Sequence, residues 1–278
     1  MNFKIKKLYP FGLIIEPVNG EGSIFDIDID HIKKKLSEEH LIAFRGFKSF
    51  SNAEEFSEYC EKHGEISLWP FGKVLELIVH EKPKDHIFDN SYIPLHWDGM
   101  YREQVPATQV FHCVQAPGVN NKGGTTFVNT KRVLEKQSDS FIEYLSKISC
   151  TYSRKMEYYD SKTVAPILTE HHERGYKVIR YCQPPNSDDS SFVNHPGFEI
   201  KGIPKEEMKS FISKLNDVLY SPENMYTHQW QTGDIVFSDN HTLLHGREPF
   251  TKDAPRHIRR VQLLDKKPLN NPHLIHTK

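Results

Sequence analysis

Cysteine is scarce in this chain. Four are spread over 278 residues, at Cys60, Cys113, Cys150 and Cys182, and no two form a CxxC pair. That spacing excludes a zinc ribbon and a disulfide framework, and predicts reduced thiols in a cytoplasmic protein. A surplus of charge is missing as well: 36 Lys and Arg stand against 37 Asp and Glu. So balanced a chain has no electrostatic footprint for nucleic acid or polyphosphate, and the basic run at 32–35 beside the acidic 37–40 reads as a solvated helix face. Long apolar runs are absent, which excludes a membrane-spanning helix. Near the amino terminus Pro10 and Gly12 interrupt the apolar stretch and no small-residue cleavage site follows, so no secretory leader is expected. Repeats and low-complexity linkers are lacking too, which predicts one domain over residues 1–278.

Short strand-like runs fill the chain instead: 11–18, the run ending at Phe47, 74–80, 107–116, 124–130, 176–181, 233–240 and 259–264. Helical patterning covers 28–42, 51–64 with Ser51 as its cap and Gly64 as its stop, 130–148 and 204–220. Many strands and few, irregularly placed helices argue against a parallel doubly wound sheet. They predict a mainly β fold, a sandwich or barrel core of strands at about 74–130 and 176–265 with helical decoration. The polar, Pro/Gly-punctuated segment at about 150–200 is expected to be an inserted lid or a surface insertion.

Within "SYIPLHWDGMY", residues 91–101, His96 and Asp98 lie two apart in an apolar, aromatic run. On a strand both would point to one side, as two ligands of one metal must; the same pair could equally be an ordinary strand end. Further along, "FSDNHTLLHGREPF" supplies His245, and Arg256 follows eleven residues later, with Arg259 and Arg260 behind it. Two imidazoles and one carboxylate on one face of a metal form the facial triad of non-haem Fe(II) oxygenases, which leaves adjacent positions open. A zinc hydrolase could use the same ligands, but it has no need of an arginine fork placed to take a keto acid's far carboxylate.

From about residue 10 to residue 265 the chain resembles the taurine dioxygenase (TauD/TfdA) family of Fe(II)/2-oxoglutarate oxygenases. "HWD" fits the family's HxD and "DNHTLLH" its distal histidine, while "KGGTTFVNT" resembles its "GGDT" strand. "LIAFRGF" and "CEKHGEI" resemble its amino-terminal strand and helix, with His63 where a Phe is usual. The resemblance implies a jelly-roll (double-stranded β-helix) core. It implies His96, Asp98 and His245 as the catalytic iron ligands, with 2-oxoglutarate and O2 as co-substrates. Arg256 and Thr126 would then hold 2-oxoglutarate, and Arg260 an anionic substrate.

The chain departs from the family pattern at Trp97 inside HxD and at Gly99-Met100-Tyr101 after it, and no counterpart of a sulfonate-binding histidine is evident at 68–73. Phe71, Trp97, Met100 and Tyr101 suggest an aromatic-lined substrate pocket instead. Retention of Asp98 speaks against halogenation, in which chloride needs that position. "PLHWDGMYREQVPATQVFHCV" is similar to oxygenases that partner isonitrile synthases in paerucumarin- and rhabduscin-type pathways. That likeness implies a tyrosine-derived isonitrile acid converted to a vinyl isonitrile by oxidative decarboxylation. A taurine-type hydroxylase, and a jelly-roll that binds without catalysis, are the alternatives. The expected partner is a small acid, with neither nucleic acid nor membrane; a homo-oligomer is compatible with the sequence.

Overall fold

Alternation along the strands decides which side chains meet. In Thr108–Gln115, Phe111 and Cys113 share one face with Gln109, while Val110 points the other way. The structure, a computed structural model, describes residues 3–20, 22–156, 160–186 and 192–276. Its largest sheet has seven strands in the order Phe3–Lys7, Leu13–Pro17, Leu41–Phe44, Ile235–Asp239, Thr108–Gln115, His257–Leu263 and Leu75–Leu77. All neighbours are antiparallel except Leu13–Pro17 with Leu41–Phe44. A second, antiparallel sheet runs Met225–His228, Thr125–Asn129, Leu243–Arg247, Ile93–His96.

Phe111, Phe127, Trp230, Val236, Leu243 and Ile258 form the core between these two sheets. The opposite face of the large sheet buries Val110, Phe237 and Val261 against Ile32 and Leu36 of helix Ile29–Glu39 and Phe56 and Tyr59 of helix Ala53–Glu61. Sheet against sheet with helices outside is the sandwich predicted from the strand pattern, and it agrees with the jelly-roll that the resemblance implies.

Several boundaries move. The cap of Ala53–Glu61 is Asn52, whose side chain accepts from the Glu55 amide at 2.8 Å, while Ser51 gives its own amide to the Glu55 carboxylate at 2.6 Å. The helix expected over 130–148 is two, Thr130–Glu135 and Asp139–Ser146, because Ser138 caps the second one afresh. Within the segment at 150–200, residues 150–155, 160–166 and 197–200 belong to a third sheet, ordered Gly197–Lys201, Ser149–Lys155, Asp160–Pro166, Leu274–His276, and Leu168–Glu170 pairs with Lys177–Ile179. Of the Pro- and Ser-rich stretch that suggested a lid, residues 187–191 lie outside the described residues. No helix among the described residues is long and apolar enough to cross a membrane.

The pairing of Leu243–Arg247 with Ile93–His96 shifts register between His245 and Arg247, at Gly246. A Cβ on Gly246 would stand 2.6 Å from the Ile93 carbonyl oxygen. Gly246→Ala should therefore push the two strands apart at a cost of about 1–3 kcal/mol. Thermal denaturation should show a melting temperature lower by roughly 2–10 °C; an unchanged value would mean the strands yield without cost.

Candidate active site

His96 ends one strand of the four-stranded sheet and His245 lies in the next, and the two are directly opposite in the pairing. Their ring centroids are 4.1 Å apart. Asp98 follows His96 in the turn that leaves the strand. His96 Nε2 lies 3.6 Å from Asp98 Oδ1, and His245 Nε2 3.8 Å from Oδ2. One ligand atom from each of the three lies within 4.8 Å of the others, and among the described residues no other trio of His, Cys, Asp and Glu does so. The Nδ1 of His96 donates to the Pro94 carbonyl at 2.8 Å, which fixes the tautomer and leaves the Nε2 lone pair free to ligate. Burial lowers the pKa of both imidazoles, so both are neutral ligands at neutral pH.

Asp98 is held from several sides. Its Oδ2 accepts from Gln109 Nε2 at 2.5 Å, Gln262 Nε2 at 2.6 Å and Arg260 Nη1 at 2.7 Å. Gln109 and Gln262 are directly opposite across two strands of the large sheet, so alternation aims both amides at one oxygen. Burial opposes the charge on Asp98, but the Arg260 cation and the hydrogen bond from Gln262 act against it, and the carboxyl is held well below its usual range. Its backbone is pinned too. Asn240 accepts from the Asp98 amide at 3.0 Å and donates to the Asp98 and Pro106 carbonyls at 2.9 and 2.7 Å.

Two cavities meet at this triad. The smaller is lined by His96, His245, Thr125, Arg256 and Arg260 among others. Arg256 is buried, gives Nε to the Gly123 carbonyl at 2.9 Å, and has no carboxylate partner among the described residues. Burial, with Arg247 nearby, presses its pKa down to about 9. A sequestered guanidinium without a counterion is a ready seat for a carboxylate. The hydroxyl beside it is Thr125, not the expected Thr126. Thr126 occupies the opposite face of the strand, 3.2 Å from the Thr227 hydroxyl, whereas Thr125 shares the inner face with Phe127 and His245. A one-residue shift along a strand exchanges its faces, and the motif alone could not show which threonine turned inward.

The larger cavity has a volume of about 360 Å³ and is lined by Phe71, Trp97, Met100 and Tyr101, all expected there, together with Trp69, His86, Arg154 and Phe192. Arg260 borders both cavities. It was expected to face substrate alone, yet its Nη1 is engaged with Asp98. Its Nε–Nη2 edge, with Nε buried, has no hydrogen-bond partner among the described residues. Arg259, on the other face of that strand, pairs with Glu76 at 3.1 Å. The third sheet thus supplies a wall of the larger cavity through Arg154, whose guanidinium meets Asp85 at 2.6 Å. Gln109, Gln262 and Thr125 escaped sequence reasoning because only pairing across strands brings them to Asp98 and Arg256, and Asn240 because only the fold brings its turn against the Asp98 backbone.

The family described as "Taurine catabolism dioxygenase TauD, TfdA family" matches residues 5–262. The chain belongs to this family. A tyrosine isonitrile desaturase from Pseudomonas aeruginosa is 44% identical over 95% of this chain and 91% of its own length. A 3-((Z)-2-isocyanoethenyl)-1H-indole synthase from Fischerella ambigua is 37% identical over 94% of this chain and 96% of its own. The crystal structure of PvcB from Pseudomonas aeruginosa matches with a TM-score of 0.84 at 40% identity, covering 98% of this chain and 95% of that one. A second PvcB structure, described as an Fe, alpha-ketoglutarate dependent oxygenase from an isonitrile synthetic pathway, gives 0.82 at 38%, covering 99% and 96%. In this TauD/TfdA member the donor set fits a divalent iron: two neutral imidazoles, one ionised carboxylate, and a cationic seat for a keto acid beside them.

Replacing Gln109 and Gln262 by Leu should leave the ligands in place but free Asp98 to turn. Metal affinity should fall roughly 10–100-fold, as measured by titrating the iron-free protein with Co(II) and following its absorption. Unchanged affinity would remove the amides from the metal's support.

Proposed function

We propose that this chain is an Fe(II)- and 2-oxoglutarate-dependent oxygenase that converts a tyrosine-derived isonitrile acid to a vinyl isonitrile by oxidative decarboxylation. One observation carries the proposal. The His96/Asp98/His245 face lies where a small cavity with an unpaired buried guanidinium meets a large aromatic one bordered by the open edge of Arg260. The activities of the relatives at 44% and 37% identity support the substrate class, an aromatic isonitrile.

Bound iron, with 2-oxoglutarate and O2, supplies a two-electron oxidation whose co-products are succinate and CO2. The substrate gives up one benzylic hydrogen and its carboxylate, forming the C=C bond. In sum, isonitrile acid, 2-oxoglutarate and O2 give vinyl isonitrile, succinate, two CO2 and water. The chain's own residues bind and orient. Arg256 would take the far carboxylate of 2-oxoglutarate, with Thr125 beside it. The Nε–Nη2 edge of Arg260 would take the substrate carboxylate, two parallel donors for two oxygens. Trp97, Met100 and Tyr101 form apolar walls that exclude water from the reacting carbon. An intact metal face beside Arg256 argues against a jelly-roll that only binds, since a lone buried cation has a use only if an acid seats on it.

The test is turnover with substrate carrying ¹³C in its carboxylate. Labelled CO2 and an equal amount of succinate are expected. Label retained in a product lighter by two hydrogens would overturn decarboxylation and leave plain desaturation, the outcome that the name of the Pseudomonas relative suggests. Succinate formation with taurine but not with the isonitrile acid would overturn the substrate class.

The two arginines should separate by ligand. Arg256→Ala should weaken 2-oxoglutarate by on the order of 2–5 kcal/mol, at least roughly thirtyfold, and Thr125→Val by about 1 kcal/mol. Arg260→Ala should weaken the isonitrile acid more than 2-oxoglutarate, and metal affinity should also fall because Asp98 loses a donor. Equal effects of both variants on both acids would refute the division.

A further inference from the structure

We propose that His86 reads the ring substituent of the substrate, accepting at Nε2 a hydrogen bond from the phenol O–H. The inference rests on the isonitrile-acid reading above and adds the residue that selects the aryl group. His86 opens a short turn, His86–Phe88, capped by Asp85, and it lines the larger cavity while its side chain is almost wholly buried. Its Nδ1 lies 3.2 Å from the Val193 carbonyl and 3.4 Å from Asp85 Oδ1. Both oxygens can only accept, so Nδ1 carries the hydrogen, and in the neutral ring Nε2 keeps its lone pair. Burial and the nearby Arg154 charge press the pKa of this ring down to about 3, so it stays neutral in use. Among the described residues Nε2 has no hydrogen-bond partner.

The ring cannot turn away. It stacks on Phe192 at 4.4 Å and 28°, and Arg247 holds its carbonyl at 3.0 Å. A fixed acceptor in an aromatic wall, with nothing to accept from, suits a donor on an aromatic ligand. His86 and His96 line the same cavity, so one ligand could lie along both. Of the rival acceptors of the same wall, His80 is exposed to solvent, and the others are committed. Gln183 Oε1 already takes the Tyr220 hydroxyl at 2.6 Å, and Glu76 holds His257 and Arg259. A phenol and an indole both carry a ring donor, whereas a phenyl group does not.

The experiment compares two acids on the anaerobic Fe(II) and 2-oxoglutarate-loaded protein by calorimetry: 2-isocyano-3-(4-hydroxyphenyl)propanoate and its analogue without the hydroxyl. Wild type should bind the phenol roughly five- to tenfold more tightly, the worth of one neutral hydrogen bond. His86→Phe, which keeps a ring against Phe192, should bring the ratio close to one while phenyl-acid affinity stays within about twofold. A ratio unchanged by the substitution would overturn the assignment. Equal affinities in wild type would do so without any variant, which decides the matter should His86→Phe fail to fold. If neither acid binds wild type, the isonitrile reading fails and this assignment falls with it. If both bind equally and turn over, only His86 is wrong.

Discussion

A carboxylate that water barely reaches must be answered by other charges and donors, and Asp98 is such a group. Three donors converge on its Oδ2, and one of them is the Arg260 cation. That demand explains why two glutamines sit on the inner face of a sheet whose other inward residues include Phe111 and Ile258. Each amide would be costly there unless bonded. It also bears on what the site admits. Taking the proposed cofactors at formal charge, iron(II), Arg256 and Arg260 set against Asp98 leave a surplus of three positive charges. A 2-oxoglutarate dianion and one substrate carboxylate cancel that surplus. The two cationic seats are thus what lets two acids share a site secluded from solvent.

The metal face was legible because it is written in short range. His96 and Asp98 are two apart, and one histidine on a neighbouring strand completes the set once pairing is granted. Arg256 was singled out by resemblance to the family, and the structure places it in the wall of the small cavity. The fold was legible as a class, since alternating runs and a lack of regular β–α alternation leave few architectures.

What could not be read depends on register and on competition between local signals. Thr125 and Thr126 are chemically alike, and only the pairing of Gly246 with Thr126 and of His245 with Phe127 shows which one turns inward. Gln109 and Gln262 are far apart in sequence and act together only because their strands bring them face to face. The helix expected over 130–148 breaks because Ser138 is a better cap than a helix interior residue, so a hydroxyl overrode a continuous apolar periodicity. Arg260 shows a different limit. Its position was readable, but its bond to Asp98 requires a third strand to bring the two together.

The third sheet completes the division of labour. Residues Ser149–Lys155 and Asp160–Pro166 carry few of the long apolar runs that mark a core, so their polar composition suggested a lid. Alternation resolves the contradiction: Ser161, Thr163 and Ala165 are buried while Lys162, Val164 and Pro166 are only partly so. Thr163 is buried with its hydroxyl bonded to the Met100 carbonyl, which ties this sheet to the turn that carries Asp98. The wall that shapes the large cavity is therefore anchored directly to the metal-bearing segment. The two stacked sheets form the frame that carries the metal face. Because the wall meets the frame through side chains such as Thr163 and Arg154, changes there can alter which acid the cavity takes while the His96/Asp98/His245 face stays as it is.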